Sequence, residues 1–366
     1  MIGIICFWDR AATPYLSKYE RILQELNLNY EVLFWDRENY TPKPSVQING
    51  REITLKLNCY RGIKKIYSFL QWSKKIKQIL KSKKYSGLIV LSTMPGFLLY
   101  SYIKRQYSGK FVFDIRDYTM EANSLFKRRV MSLIRASSLA PISSKGFMKW
   151  LDSAPQIMVN HNITIEQAND FAPPTFKKGT IRFSFVGNVR LDLQTEELMK
   201  KMGHDTRFEQ HYFGRVIPSC KIEEMAKNNN VKNLYLHGSF NASDKPHIYQ
   251  QTDLINTVYA NAERDDLIPL GDSTPLPNRL YDAIVFYRPL VTSRGTYLAE
   301  LSDQYHLGVN INSFDSDVLE QIKKYVDTFD PLDFKLGCDQ LREIVFSEEL
   351  AFQEKIKEIL KNLEFV

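Results

Sequence analysis

The stretch Pro277-Asn278-Arg279-Leu280-Tyr281-Asp282-Ala283-Ile284-Val285-Phe286-Tyr287-Arg288-Pro289-Leu290-Val291-Thr292-Ser293 reads as a helix over residues 278–286 followed by a strand over 290–293. Pro277 presets φ at the helix start, so the free N–H groups of the first turn can face a phosphate, and Arg279 adds a cation there. One turn further in, Asp282 is placed to accept hydrogen bonds from a ribose diol. An ordinary capped helix with Asp282 on its solvated face reads equally well from these residues alone.

Outward from this stretch the same alternation continues. Strands are expected over 182–186, 208–213, 233–236, 254–259 and 309–311, with helices over 195–201, 220–228, 297–302 and 318–325. Toward the N-terminus, apolar runs over 2–7, 30–35, 88–91 and 111–115 read as further strands. Tyr19, Ile22, Leu23 and Leu26 share one helical face between the first two. Continuous apolar strands separated by helices are what a parallel sheet covered on both faces requires. Residues 48–57, with the turn signal Asn49-Gly50, read instead as a small hairpin. Paired prolines around 171–178 mark a connector. The expected organisation is therefore a first α/β domain over 1–170, a second over 171–346, and a closing helix over 347–366 packing back toward the first.

The 366 residues are 44% hydrophobic and 25% charged, with 16 Gly and 15 Pro, which suits sizeable cores and excludes low-complexity or collagenous classes. Cys6, Cys59, Cys220 and Cys338 have no Cys-x-x-Cys spacing, against a disulfide scaffold or zinc ribbon and in favour of reduced cytosolic thiols. The start MIGIICFW lacks the basic region and cleavage site of a signal peptide, so export is not expected and a cytoplasmic location is. Residues 85–103 carry no charge, but Ser92, Thr93, Pro95 and Gly96 break them into strand, turn and helix rather than a membrane span. The net charge of +7 conceals a division: residues 1–160 sum to +15 and residues 161–366 to −8. A basic surface calls for an anionic partner, whether nucleic acid, lipid headgroup or phosphorylated substrate.

Residues 183–190, Phe-Ser-Phe-Val-Gly-Asn-Val-Arg, end a strand in Gly187, where the missing Cβ lets backbone approach a ligand, with Asn188 beside it and Arg190 within reach of an anion. Gly187 alone reads more readily as a plain turn. Asp117 and Asp9 could orient a hydroxyl from the first domain, and each is equally suited to capping a helix or turn. The histidines show no metal-ligand spacing, and Asp315-x-Asp317 reads as a helix cap.

PNRLYDAIVFYRPLVTS, followed by TYLAEL and GVNIN, resembles the donor-site stretch of GT-B glycosyltransferases of the family-four type, where a Pro-x-Lys-Leu-x-Glu-like helix precedes a Gly-x-Pro-Val strand. FSFVGNVR resembles the strand end that opens their donor domain. FVFDIRDYTME, residues 111–121, resembles an acceptor-domain stretch in relatives that build bacterial capsule, O-antigen or exopolysaccharide. ASSLAPISSKGF and IMVNHNI resemble the segments that close that domain. The resemblance implies a GT-B fold, two doubly wound Rossmann-like domains facing across a cleft, and a retaining transferase using a nucleotide-sugar, UDP- or GDP-linked, without a metal. Asp282 stands where the family's ribose-binding glutamate sits. Arg190 would meet the diphosphate, Arg279 stands at the helix-start lysine, and Gly187, Asn188 and Asn278 would border the donor. The chain departs from the pattern at Thr274, where an acidic residue is usual, at Tyr287, where glycine is common, and in the glycine-free loop from Trp8 to Ala12.

Between Lys56 and Lys149 there are 20 Lys/Arg and three acids. A helix burying Ile66, Phe69, Leu70, Ile76, Ile79 and Leu80 while displaying Lys74, Lys75 and Lys77 fits docking on an anionic membrane, with Arg116 on the same acceptor side. A core helix with a solvated lysine face is the competing reading. A polyprenyl-diphosphate-linked saccharide would present its acceptor hydroxyl at such a surface, making the protein peripheral on the inner face of the bacterial plasma membrane. Two other classes remain: a nucleic-acid-binding protein, against which no recognition helix, RNP pair or Walker loop is found, and a nucleotide-sugar 2-epimerase.

Overall fold

The computed structural model describes residues 1–8, 10, 13–36, 49–60, 62–163, 171–176 and 179–364. The chain forms two units: Met1–Asn162 with Ser347–Val366, and Ile163–Phe346. The division falls ahead of the proline connector, because Ile163 already packs in the second unit's core.

In the first unit, β1 (Ile2–Ile5), β2 (Tyr30–Asp36), β3 (Gly50–Lys56), β4 (Gly87–Leu91) and β5 (Phe111–Asp114) form a parallel sheet in the order β3-β2-β1-β4-β5. Two short strands, β6 (Ala140–Ile142) and β7 (Ile157–Val159), pair with each other, and β6 lies beside β5 through bridges Val112–Leu139 and Ile115–Ile142. Ile4 sits between Val32 and Ile89, so the central strand is apolar throughout. The hairpin expected at 48–57, of which residue 48 lies outside the described residues, is not formed over 49–57. β3 instead runs parallel to β2 along its whole length, Tyr30 opposite Gly50 through Asp36 opposite Lys56. Seven residues of edge pairing outweigh the local turn preference of Asn49-Gly50.

One face of this sheet is covered by helices Lys65–Lys83, Thr93–Gln106 and Ser124–Ala136, which bring Trp72, Ile76, Leu99, Ile103, Val130 and Ile134 into one core. The other is covered by Leu16–Glu25 and the end of the last helix, through Tyr19, Leu23, Phe352, Ile356 and Leu360. Each such side chain contributes about 1.5–3 kcal/mol. Helix Lys65–Lys83 does not bury the expected set. Trp72 takes the core side, against Phe7 at 5.0 Å and Trp35 at 6.2 Å, with Ile76 and Leu80 on the same face. Phe69 and Ile79 are half-buried, while Ile66 and Leu70 stay exposed.

In the second unit, β8 (Ile181–Val186), β9 (Phe208–Phe213), β10 (Leu234–Gly238), β11 (Leu254–Thr257), β12 (Leu290–Ser293) and β13 (Gly308–Ile311) form a parallel sheet in the order β10-β9-β8-β11-β12-β13. The helix read from residues 278–286 is Asn278–Phe286; Tyr287 ends it in the left-handed conformation at φ 47°, and the chain passes into β12. The closing helix starts well before residue 347 and runs Pro331–Glu364. Its Phe334, Cys338, Leu341 and Val345 belong to the second unit's core, and Phe352, Ile356, Ile359, Leu360 and Leu363 to the first unit's.

Candidate functional site

Strand order in the second sheet reverses at the β8/β11 pair: β9 and β10 lie to one side, β12 and β13 to the other. Open α/β sheets bind ligands beyond the carboxyl ends of the strands at such a point. β8 ends there at Gly187, whose φ of +146° a side chain would resist. Its N–H donates to the Phe213 carbonyl at 2.9 Å. Beside it, at the end of β9, Gly214 has φ +137°, and a Cβ on it would collide with the Gly187 carbonyl oxygen. The two glycines let the loops after β8 and β9 run together, with the Val189 N–H on the Arg215 carbonyl at 2.9 Å. Asn188 and Arg190 are exposed on the first of these loops. Asp192 then caps helix Leu193–Met202, accepting from the N–H of Thr195 at 3.0 Å and, from beyond β11, the N–H of Ala260 at 3.1 Å. Burial holds its carboxyl above the usual range despite these donors.

Arg279 enters this point from the first turn of helix Asn278–Phe286, which no side chain caps and whose exposed first residue is Asn278. Its guanidinium lies 3.9 Å over the Phe185 ring of β8 and is buried. Among the described residues it has no ion-pair partner, and its Nη1 has no hydrogen bond. Burial, with the positive charge of Arg190 adding to it, lowers its pKa to about 10. A buried, unpaired arginine beside a second arginine at an uncapped helix start is arranged to receive an anion.

Asp282 follows one turn later and is buried. Its Oδ1 accepts from Lys245 Nζ at 2.7 Å and its Oδ2 from the Tyr249 hydroxyl at 2.7 Å. The carboxylate is therefore clamped from helix Lys245–Gln250 rather than solvated, and each oxygen retains a lone pair. Burial and the Asp282 charge push the Tyr249 phenol well up. Gly214, Lys245 and Tyr249 were not singled out from the sequence. Gly214 had a signal, a glycine directly after an apolar strand; the other two act through a fold contact no spacing announces.

In the first unit, Asp117 is exposed just past β5. Arg116 is not on an open surface. It is buried in an ion pair with Asp114 at 2.7 Å, and donates to the Asn160 carbonyl at 3.2 Å, while the Tyr19 hydroxyl donates to Asp114 at 2.5 Å. That network fixes the end of β5. Asp9 lies outside the described residues. Lys74 and Lys75 are exposed and Lys77 half-buried. Glu121, the last residue of the stretch 111–121, is buried with Oε1 unpartnered, and burial raises its pKa. Among the described residues no cluster of three or more His, Cys, Asp or Glu could hold a metal ion, and no helix is long and apolar enough to cross a membrane.

Two Rossmann-like units, each a parallel sheet wound in both directions from a central strand, define the GT-B architecture of glycosyltransferases. The chain is similar over nearly its whole length to sucrose-phosphate synthase from Thermosynechococcus elongatus, with 13% identity, 99% of this chain and 98% of that one covered, and a TM-score of 0.74. It is similar to Anabaena HepE, solved with UDP and glucose, at 12% identity, 98% and 99% coverage and a TM-score of 0.66. WaaG, a glycosyltransferase involved in lipopolysaccharide biosynthesis, matches at 13% identity, 98% and 99% coverage and a TM-score of 0.61. No protein-family model and no curated protein matches the chain. At these identities the likeness establishes the fold.

Proposed function

We propose that this chain is a retaining glycosyltransferase that binds a nucleoside-diphosphate sugar, UDP- or GDP-linked, at the β8/β11 point of its second unit and passes the sugar to a saccharide acceptor. The observation that carries the reading is Arg279, a buried guanidinium with no ion-pair partner among the described residues, set beside Arg190. HepE, which shares the fold, was solved with UDP. Departure of the nucleoside diphosphate builds negative charge as the anomeric carbon becomes oxocarbenium-like. Arg279, at the start of helix Asn278–Phe286, and Arg190 would stabilise that charge without a metal. Gly187 and Asn188 would border the donor, and Asp282, aligned by Lys245 and Tyr249, would accept from the ribose hydroxyls. Asp117, exposed at the end of β5, is the candidate to orient the acceptor hydroxyl, with Asp9 as the other.

The acceptor we propose is a polyprenyl-diphosphate-linked saccharide of bacterial surface-polysaccharide assembly, met at an anionic membrane on which the first unit docks peripherally. Support comes from helix Lys65–Lys83 and the turn before it: Ile63, Ile66, Tyr67 and Leu70 are 86%, 61%, 56% and 62% exposed. These positions form one helical stripe, flanked by Lys64, Lys65, Lys74 and Lys75.

A thermal-shift series with UDP, GDP and their sugars tests the donor site, since a ligand of the native state alone raises the melting temperature. A nucleoside diphosphate is expected to stabilise the wild type, and the gain to shrink in Arg279→Ala, Arg190→Ala and Asp282→Ala. No response to any nucleotide, or a full response in all three variants, overturns the reading.

A further inference from the structure

Helices Thr93–Gln106 and Ser124–Ala136 lie side by side on the first sheet, and the groove between them is an open cavity of about 740 Å³. Its walls carry Lys104, Arg128, Arg129 and Arg135, together with Tyr100 and Ser132, and no carboxylate. Arg135 is 3.8 Å from Asp152, which Lys127 shares at 3.5 Å. Lys104, Arg128 and Arg129 have no ion-pair partner among the described residues. We infer that this groove binds a phosphate group, carried either by a lipid headgroup or by a soluble phosphate compound. The inference is independent of the donor site in the second unit.

The groove is built rather than merely basic. Arg129 lies against two rings, its guanidinium 5.1 Å from the Phe97 ring centroid and 5.3 Å from that of Tyr100. Two aromatic contacts restrict the side chain, and its donor fork suits two-point contact with phosphate oxygens. Lys104 Nζ donates to Ser132 Oγ at 2.8 Å, and Ser132 is 3.1 Å from the Tyr100 hydroxyl, so the exposed lysine is tethered to the groove wall. The hydrogen bond from Ser132 foremost, with the charges of Lys104 and Arg129 adding to it, holds the Tyr100 phenol below its ordinary value. A site that favours a phenolate favours other anions. Lys104, Arg128 and Arg129, like charges around one concavity, repel each other, and an anion placed among them relieves that repulsion. Exposed Leu125 at the rim offers apolar contact to whatever carries the phosphate.

The test follows acetylation of Lys104 by mass spectrometry on the full-length protein, with inorganic pyrophosphate in one arm and phosphatidylglycerol or phosphatidylcholine vesicles in the other. Protection of Lys104 by pyrophosphate or by the anionic vesicles is expected, and absent with phosphatidylcholine. The arm that protects at the lower phosphate concentration identifies the source. In Arg128→Gln/Arg129→Gln the concentration needed rises about thirtyfold, as loss of two surface cations predicts. Ser132→Asp, which places a carboxylate at the centre, abolishes protection and serves as a second variant should the first fold poorly. Lys104 reacting equally fast with and without every phosphate source, or protection undiminished in both variants, overturns the inference.

Discussion

Arg279 carries a cost that the rest of the second unit has to offset. Below about pH 10 its folded form bears the full penalty of a buried charge, relieved only as pH climbs from there toward the ordinary arginine range, where the unfolded chain also loses the proton. Arg279→Met keeps an apolar contact on Phe185 and removes the charge. Denaturant melts of the unliganded variant are expected to show a gain of about 1–3 kcal/mol, while nucleoside-diphosphate stabilisation disappears. A loss of stability instead would mean that the guanidinium is satisfied within the fold. Gly214 supplies a second expectation. An alanine there meets the Gly187 carbonyl oxygen at a φ of +137°, so Gly214→Ala should lose about 1–3 kcal/mol or more and weaken nucleotide binding as the ends of β8 and β9 part. Equilibrium melts and a UDP titration of the same variant check both halves. Asp282 shows where reading residues one by one stops. Its place on the helix was legible from the apolar period after Pro277, but its clamp by Lys245 and Tyr249 comes from a helix more than thirty residues earlier in the chain and leaves no trace in local spacing.

At the scale of elements, the strands and helices of both sheets were legible wherever burial on both sides forces a continuous apolar run, as in Ile2–Ile5 and Leu290–Ser293. β3 was misread because a turn signal is local and strand pairing is not. Helix Lys65–Lys83 was misread because apolar residues occupy two of its faces, and the positions of Phe7 and Trp35 on the sheet decide that Trp72 goes inward. The groove of Lys104 and Arg129 exists only once two helices are set side by side, although the excess of Lys and Arg between Lys56 and Lys149 was plain in the sequence. The outward face of helix Lys65–Lys83 gives a prediction of its own. Ile66→Asp/Leu70→Asp should leave the melting temperature within a degree or two, as surface changes do, and lower cosedimentation with phosphatidylglycerol vesicles about tenfold or more. Unaltered vesicle binding would remove the stripe from the docking surface. Helix Leu16–Glu25 gives another, because Lys18 pairs with the buried Glu349 of the last helix at 2.8 Å. Burial lowers the Lys18 pKa from 10.5 to about 8. Between those values the unfolded chain binds the extra proton, so this group's contribution to stability rises with pH from about 8 to 10.5 and is constant below. Unfolding free energies of the wild type, measured against Lys18→Met/Glu349→Leu across that range, should show the rise; a flat difference would place the Lys18 titration elsewhere.

For the whole molecule, the sequence division into a basic part and an acidic part follows the division of labour proposed here: anionic surfaces outside the first unit, and a confined diphosphate in the second, where two arginines suffice. The units differ also in how the chain builds them. The second is one continuous stretch, Ile163–Phe346, whereas the first is completed only when the chain returns with Ser347–Val366. Phe352, Ile356, Leu360 and Leu363 of that return pack on the face formed by Ile2, Ile4, Val32 and Ile89. Their burial, at about 1.5–3 kcal/mol each, matches the whole stability of an ordinary domain, about 5–15 kcal/mol. A chain ending at Phe346 should therefore lose amide protection in β1 and β4 under hydrogen exchange while β8 and β11 keep theirs. Protection retained in β1 would mean that the first sheet holds its apolar face without the last helix.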